Sequence, residues 1–275
     1  MDQTTPTPSK AKLELKRISD LYNQETRTKK LHALILGDKG SGKTRLAKTC
    51  PAPILIHSFD PGGTETLRNE IDKGTVIADT RFEVDSPDQP SAFRLWETEF
   101  SNLRRMGVFD EIGTYILDPL STMAVSAVWQ IMKKEGRLWA GMNMPTDDKR
   151  QGMRIQDWGV LVTAMQKLAR DVNNLPCHTI ITCHISREKD QLGRVLMEAL
   201  LPGQSQQQVP NISQELYVLL NKPTSEGPKR ILLTADNGEY RATTRMGSDG
   251  KLAQEEPADI RALLKKVGYD WEDKQ

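Results

Sequence analysis

Three observations predict an α/β fold with a mainly parallel central sheet, helices on its faces and a C-terminal antiparallel hairpin. Strand-length apolar runs at 31–36, 54–59, 112–118 and 178–183 each close on a glycine or a polar residue. Segments with apolar residues at helical spacing lie between them. The first run enters Gly37-Asp38-Lys39-Gly40-Ser41-Gly42-Lys43-Thr44, a spacing that fits a phosphate-binding loop between a strand and a helix.

Residues 1–10 are rich in Thr and Pro and read as a disordered leader. From Leu13 to Lys30, apolar residues at Leu15, Ile18, Leu21 and Tyr22 predict a short amphipathic arm that packs on its own core or meets a neighbouring subunit. The glycines of the loop let several backbone N–H groups converge on phosphate oxygens, and the helix from Arg45 adds partial positive charge. Lys43 is placed to reach the β- and γ-phosphates of ATP and Thr44 to complete a Mg²⁺ shell; Gly37 through Arg45 form the nucleotide-binding set.

The second strand, 54–59, ends at Asp60-Pro61-Gly62-Gly63, which sets a carboxylate at the sheet edge where α/β folds bind ligands. A third strand is expected at 76–78 and a crossover helix at 91–106, with Phe93, Trp96, Phe100 and Leu103 as core. The strand 112–118 closes on Asp118, either a metal-holding carboxylate opposite Thr44 or the cap of the helix 122–134. A loop is expected at 136–151, and Trp158, Leu161, Met165, Leu168 and Val172 mark a helix with a core stripe. The strand 178–183 leads to His184, and 187–210 reads as a polar, basic connection to a strand at 215–220. Two further strands, 230–234 and 240–244, flank Asn237-Gly238, a hairpin signal, and a helix is expected over 257–267. The implied division is a leader and arm over 1–30, a core over 31–250, and a helix with a polar tail over 251–275.

With 38 basic against 37 acidic residues, no global field announces nucleic acid or a membrane, so any such contact is local. No run of about 18 apolar residues occurs, and the first residues lack a signal-peptide layout. Three scattered cysteines suit a reducing cytoplasm.

The order of elements resembles a RecA-like P-loop NTPase core. The chain is similar to the short phage-encoded RecA-like, AAA-domain ATPases, some of which are single-strand annealing recombination proteins of the Sak type. The resemblance runs over about 31–247 and rests on the glycine-rich loop, Phe59-Asp60-Pro61-Gly62-Gly63-Thr64, Leu117-Asp118-Pro119-Leu120-Ser121, Thr182-Cys183-His184 with Glu188-Lys189-Asp190, and Tyr240-Arg241-Ala242-Thr243-Thr244-Arg245. It implies that Asp60 activates the attacking water and that His184 senses the γ-phosphate, the alternative for His184 being a simple strand cap. It implies that Arg245, with Arg241, acts as an arginine finger in a neighbour's site, the alternative being an exposed arginine without a role. It places single-stranded DNA on two loops through Lys149, Arg150, Arg154, Arg187, Lys189 and Arg194, residues that a merely solvated loop could equally carry.

The expected protein is an ATP-dependent DNA recombination ATPase, a homo-oligomer in a ring or filament with nucleotide between subunits, partnered by a single-strand-binding protein. The second reading is a nucleotide-gated protein-interaction ATPase without DNA activity. A small-molecule kinase is the third, disfavoured by the absence of an arginine-rich lid segment.

Overall fold

A computed structural model describes residues 9–24, 29–136, 152–189, 195–225 and 227–274. Helix α1 (Lys10–Gln24) is followed by strand β1 (His32–Leu36), the glycine-rich loop and a six-residue 3-10 helix, Thr44–Thr49. Next come β2 (Ile54–Ser58), α2 (Arg68–Asp72), β3 (Val76–Asp79), α3 (Ala92–Arg105), α4 (Val108–Glu111) and β4 (Thr114–Asp118). α5 (Leu120–Lys134) and α6 (Ile155–Asn173) precede β5 (His178–Cys183). The chain continues through β6 (Ile185–Lys189), β7 (Val195–Ala199), α7 (Ser205–Ile212), β8 (Glu215–Lys222), β9 (Lys229–Leu233), β10 (Glu255–Pro257) and α8 (Ile260–Val267).

Eight strands form one sheet in the order β10-β9-β8-β1-β5-β4-β2-β3. The run from β8 to β3 is parallel, and β9 and β10 extend it antiparallel, so the predicted mainly parallel α/β fold is the observed one. β5 is inserted between the strand that feeds the glycine-rich loop and the strand that ends on Asp118. The register sets Leu36 beside Cys183 and Ser58 beside Asp118, which lines up the residues just beyond these strands along one edge.

Successive side chains of a strand point to opposite faces, so each strand feeds two cores. Leu34 and Leu36 join Tyr115 and Leu117 beneath α3, α5 and α6, whereas Ala33 and Ile35 join Ile54, Ile56, Ile116 and Ile180 over Ile260, Leu263 and Leu264 of α8. Cover on both faces explains why these strands read as unbroken apolar runs. The buried Tyr115 hydroxyl accepts from Trp96 Nε1 at 3.0 Å and lies 2.9 Å from His57 Nδ1, so its polar end is satisfied inside the core. Among the described residues no helix is long and apolar enough to cross a membrane.

Several elements depart from the sequence expectation. Leu13, Leu15 and Ile18 of α1 are 52%, 67% and 52% exposed, so these side chains are not packed on the chain's own core. The segment after the loop is a six-residue 3-10 helix that ends before Pro51, which cannot continue it. Trp158, expected in the core stripe of α6, is 37% exposed, with its ring 3.0 Å from where a Cβ on Gly203 would stand. The polar connection over 187–210 holds the β6–β7 hairpin and α7.

The strand 240–244 does not pair with β9. Its residues make two isolated bridges, Met197 with Tyr240 and Leu216 with Thr243. Asn237 and Asp236 instead close a local turn: their side-chain oxygens accept from Glu239, Tyr240 and Gly238 N–H groups. The antiparallel C-terminal hairpin is formed by β8 and β9, and β10 takes the other edge of β9.

Candidate functional site

The edge fixed by β1, β2, β4 and β5 carries a cleft of about 310 Å³ lined by Lys39, Gly40, Gly42, Lys43, Thr44, Arg45, Asp60, Thr66, Asp118, His184 and Arg230. Gly37 continues β1, its N–H donating to the Cys183 carbonyl at 3.1 Å. A Cβ on Gly37 would meet Ser41 Oγ at 2.6 Å, and Gly42, at φ +102°, would place one 2.6 Å from Arg230 Nε. Gly42 requires glycine for its backbone angle, whereas a side chain at Gly37 would have to displace the Ser41 hydroxyl. The Ser41 hydroxyl is buried without a hydrogen-bond partner.

Lys43 is 8% exposed, and its ammonium donates to the carbonyls of Gly37 at 2.8 Å and Asp38 at 3.0 Å. A third contact, 3.2 Å to His184 Nδ1, fixes the imidazole tautomer: Nδ1 accepts and Nε2 carries the proton toward Asp60 Oδ2 at 3.4 Å. Burial lowers the Lys43 pKa against the pull of Asp118 and Asp60, so the negative charge of a phosphate that replaces the carbonyls would favour its ammonium form. For Asp60, burial acts upward, but hydrogen bonds from His184 and Thr122 and the nearby Lys43 charge prevail, and its pKa falls below the ordinary carboxylate value. Thr122 Oγ1 donates to Asp60 Oδ1 at 2.5 Å.

Asp118 is 4% exposed and accepts from Thr44 Oγ1 at 2.5 Å and from Thr182 Oγ1. Burial raises its pKa despite these bonds and the nearby Lys43. Pro119, not Asp118, takes the N-cap position of α5, with no side-chain cap bond. Thr44 and Asp118 are thus an oxygen pair within reach of one hard cation, and among the described residues no cluster of three His, Cys, Asp or Glu offers a complete protein metal site. A cation here would need ligands from the nucleotide and from water.

His184 N donates to Ser121 Oγ at 2.9 Å, so α5 positions both ends of the Asp60–His184 pair. Thr122, Thr182, Ser121 and Thr66 are site residues to which sequence reasoning gave no role; Ser121 and Thr122 follow Asp118 by three and four residues and Thr182 precedes His184 by two, so asking what orients those groups would find the three. Arg230 was also missed. It enters from β9 and donates through Nε to the Ser41 carbonyl at 3.1 Å.

Arg245 and Arg241 stand away from this cleft. The Arg245 side chain is exposed and its N–H donates to buried Glu215 at 3.0 Å, while Arg241 Nη1 lies 3.9 Å from Glu198. Arg187 Nη2 reaches Asp38 at 3.3 Å, which ties the β6–β7 hairpin to the glycine-rich loop. Arg154 precedes α6, its N–H donating to Asp157 Oδ2 at 2.6 Å. Lys189 ends β6, and Lys149, Arg150 and Arg194 lie outside the described residues.

A sequence profile described as an AAA domain matches residues 29–246. No curated protein matches the chain. Among solved structures, it is similar to a KaiC-like protein from the hyperthermophilic archaeon Pyrococcus horikoshii OT3, at 11% identity and a TM-score of 0.37, over 78% of this chain and 82% of that one.

Proposed function

We propose, from the premise that this chain belongs to the AAA-domain family of nucleotide-binding ATPases, that it is an Mg²⁺-dependent ATPase coupled to single-stranded DNA in recombination by strand annealing. The observation that carries the reading is the chain of contacts from Lys43 through His184 to Asp60, set where β5 passes into the β6–β7 hairpin. One residue thereby touches the loop that would cradle phosphates, the carboxylate that would face water, and the hairpin that would meet DNA.

The glycine-rich loop binds the phosphates through its N–H groups, and Lys43 exchanges its carbonyl partners for phosphate oxygens. Thr44, and Asp118 through water, would hold Mg²⁺, which would supply charge neutralisation to the phosphates. Asp60, ionised at neutral pH, orients a water and accepts its proton as the water oxygen attacks the γ-phosphorus and ADP leaves; Thr122 and His184 hold that carboxylate in place. In an oligomer with nucleotide between subunits, exposed Arg245, on a turn pinned by Glu215, with Arg241, supplies the cation to a neighbour's cleft. Arg187 of the hairpin, and the basic residues Lys149, Arg150, Arg154, Lys189 and Arg194, contact the DNA backbone, with a single-strand-binding protein as the expected companion. The compartment proposed is the cytoplasm, that of the host if the chain is phage-borne.

One observation favours the second reading, a nucleotide-gated protein-interaction ATPase. A cleft of about 650 Å³ beside the hairpin is lined by Glu188, Glu198, Gln204, Gln206 and Gln207, and its carboxylates repel DNA phosphates. The ATPase rate, measured with and without single-stranded DNA over a salt series, separates the two. Stimulation, with DNA affinity falling steeply as salt rises, is expected for the first. A DNA-indifferent rate without salt-dependent binding would leave the second. Lys43→Ala should remove hydrolysis in either case, and unchanged turnover would refute the site.

A further inference from the structure

We infer that a second cleft, behind Arg230, seats the nucleoside end of the bound nucleotide, and that Arg230 positions the purine base by laying its guanidinium on the base face. The inference rests on the nucleotide-binding reading above. This cleft measures about 410 Å³ and is lined by Leu46, Lys48, Thr49, Leu219, Pro257 and Ala258, meeting the phosphate cleft at Gly42, Arg45 and Arg230.

The two clefts differ in chemistry as the two ends of a nucleotide do. The first presents Lys43, Asp60, Asp118 and His184. In the second, the polar groups are already engaged: Thr49 Oγ1 donates to the Leu46 carbonyl at 2.7 Å and accepts from Ile260 N at 3.0 Å, and Lys48 pairs with Glu70 at 2.9 Å. What remains for a ligand is apolar surface from Leu46, Leu219, Pro257 and Ala258 with the guanidinium groups of Arg45 and Arg230 beside it. A flat, weakly polar ring suits that surface, and a guanidinium over its face adds a cation–π contact.

The position of Arg230 is built. Its Nε is held by the Ser41 carbonyl at 3.1 Å, and its Cδ and Nε pack where a side chain on Gly42 would stand, at 3.0 and 2.6 Å from that missing Cβ. The guanidinium is thus fixed to the phosphate loop itself, at the junction that a nucleotide spanning both clefts must cross. No carboxylate or amide side chain lines this cleft among the described residues, so nothing of that kind reads the base edge.

The test compares ADP with inorganic pyrophosphate, titrated calorimetrically into the full-length chain with Mg²⁺. Arg230→Ala should weaken ADP about tenfold more than it weakens pyrophosphate, within the range of a partly desolvated cation–π contact. Arg230→Lys should restore ADP only in part, since it keeps a cation near the ring and loses the planar stacking. Ala258→Phe, outside the glycine-rich loop, should fill the cleft with the same selective loss, which keeps the test open if Arg230 variants fold poorly. GDP should bind within about fivefold of ADP, as face contact predicts. Equal losses for ADP and pyrophosphate, no loss for either, or a preference of about a hundredfold for ADP over GDP would overturn the proposal. Wild-type protein that binds pyrophosphate as tightly as ADP would overturn the nucleoside seat alone, whereas binding of neither would refute the nucleotide site itself.

Discussion

Asp118 sits 4% exposed between two threonine hydroxyls, and burial holds its pKa above the ordinary value. The folded chain therefore binds a proton more readily there than the unfolded chain, and stability is lost as pH rises through that raised pKa. Asp118→Asn removes the buried charge and keeps the shape. It should raise the Tm of the nucleotide-free protein, by roughly 2–4 °C for each kcal/mol relieved. It should also lower Mg²⁺-dependent hydrolysis by at least about a hundredfold. Calorimetric melts and a phosphate-release assay on the same preparation check both signs; a lower Tm would show that the two threonine bonds outweigh burial. Asp118, Asp60 and His184 were legible because each closes an apolar strand. Arg230 was not, since a lone arginine at the start of a strand has no local signature and reaches the loop only through the pairing of β9 with β8 and of β8 with β1.

At the scale of elements, α6 shows what periodicity can and cannot specify. Leu161, Met165, Leu168 and Val172 are buried as their spacing predicts, yet Trp158, in phase with them, lies at the helix start, where the partner surface is Gly203 rather than the sheet. Leu161→Ala should lower stability by about 2–5 kcal/mol, while Val160→Ala, at an exposed position on the same turn, should stay within about 0.5 kcal/mol. Urea midpoints at constant m-value read the contrast, and equal losses would mean that the helix is held otherwise than by this stripe. The Asn237-Gly238 signal misled for a related reason. It identifies a turn correctly, but which strand then pairs with β9 is decided by competition, and Glu255–Pro257 wins the edge.

For the molecule as a whole, three buried histidines set the pH response. Burial pushes His32 and His57 down to about 4 and His178 to about 3. Neutral when folded and protonated when unfolded, they contribute stability that is full above pH 6.5 and declines as pH falls toward 4, on the order of 2 kcal/mol per histidine by about pH 5. Asp118 and Glu97, both raised by burial, act in the opposite sense. Tm should therefore fall steadily between pH 7 and 4.5, and a flat profile would show that these imidazoles accept protons within the fold. The α/β class was legible because both sheet faces are covered; the tie between the C-terminal strands and the first loop was not, since it joins residues some two hundred positions apart.

The placement of β5 has a mechanical consequence. Hydrogen-bonded to β1 on one side and β4 on the other, it is a clamped beam, and the β6–β7 hairpin projects from its end at His184. The hairpin in turn rests on a fulcrum, the Met197–Tyr240 bridge, next to Arg241 and a few residues from the Glu215-pinned turn of Arg245. The strand end at His184 and the turns that carry Arg241 and Arg245 are thereby joined through a single backbone bridge, so the outward-facing arginines are anchored to the same frame as the cleft.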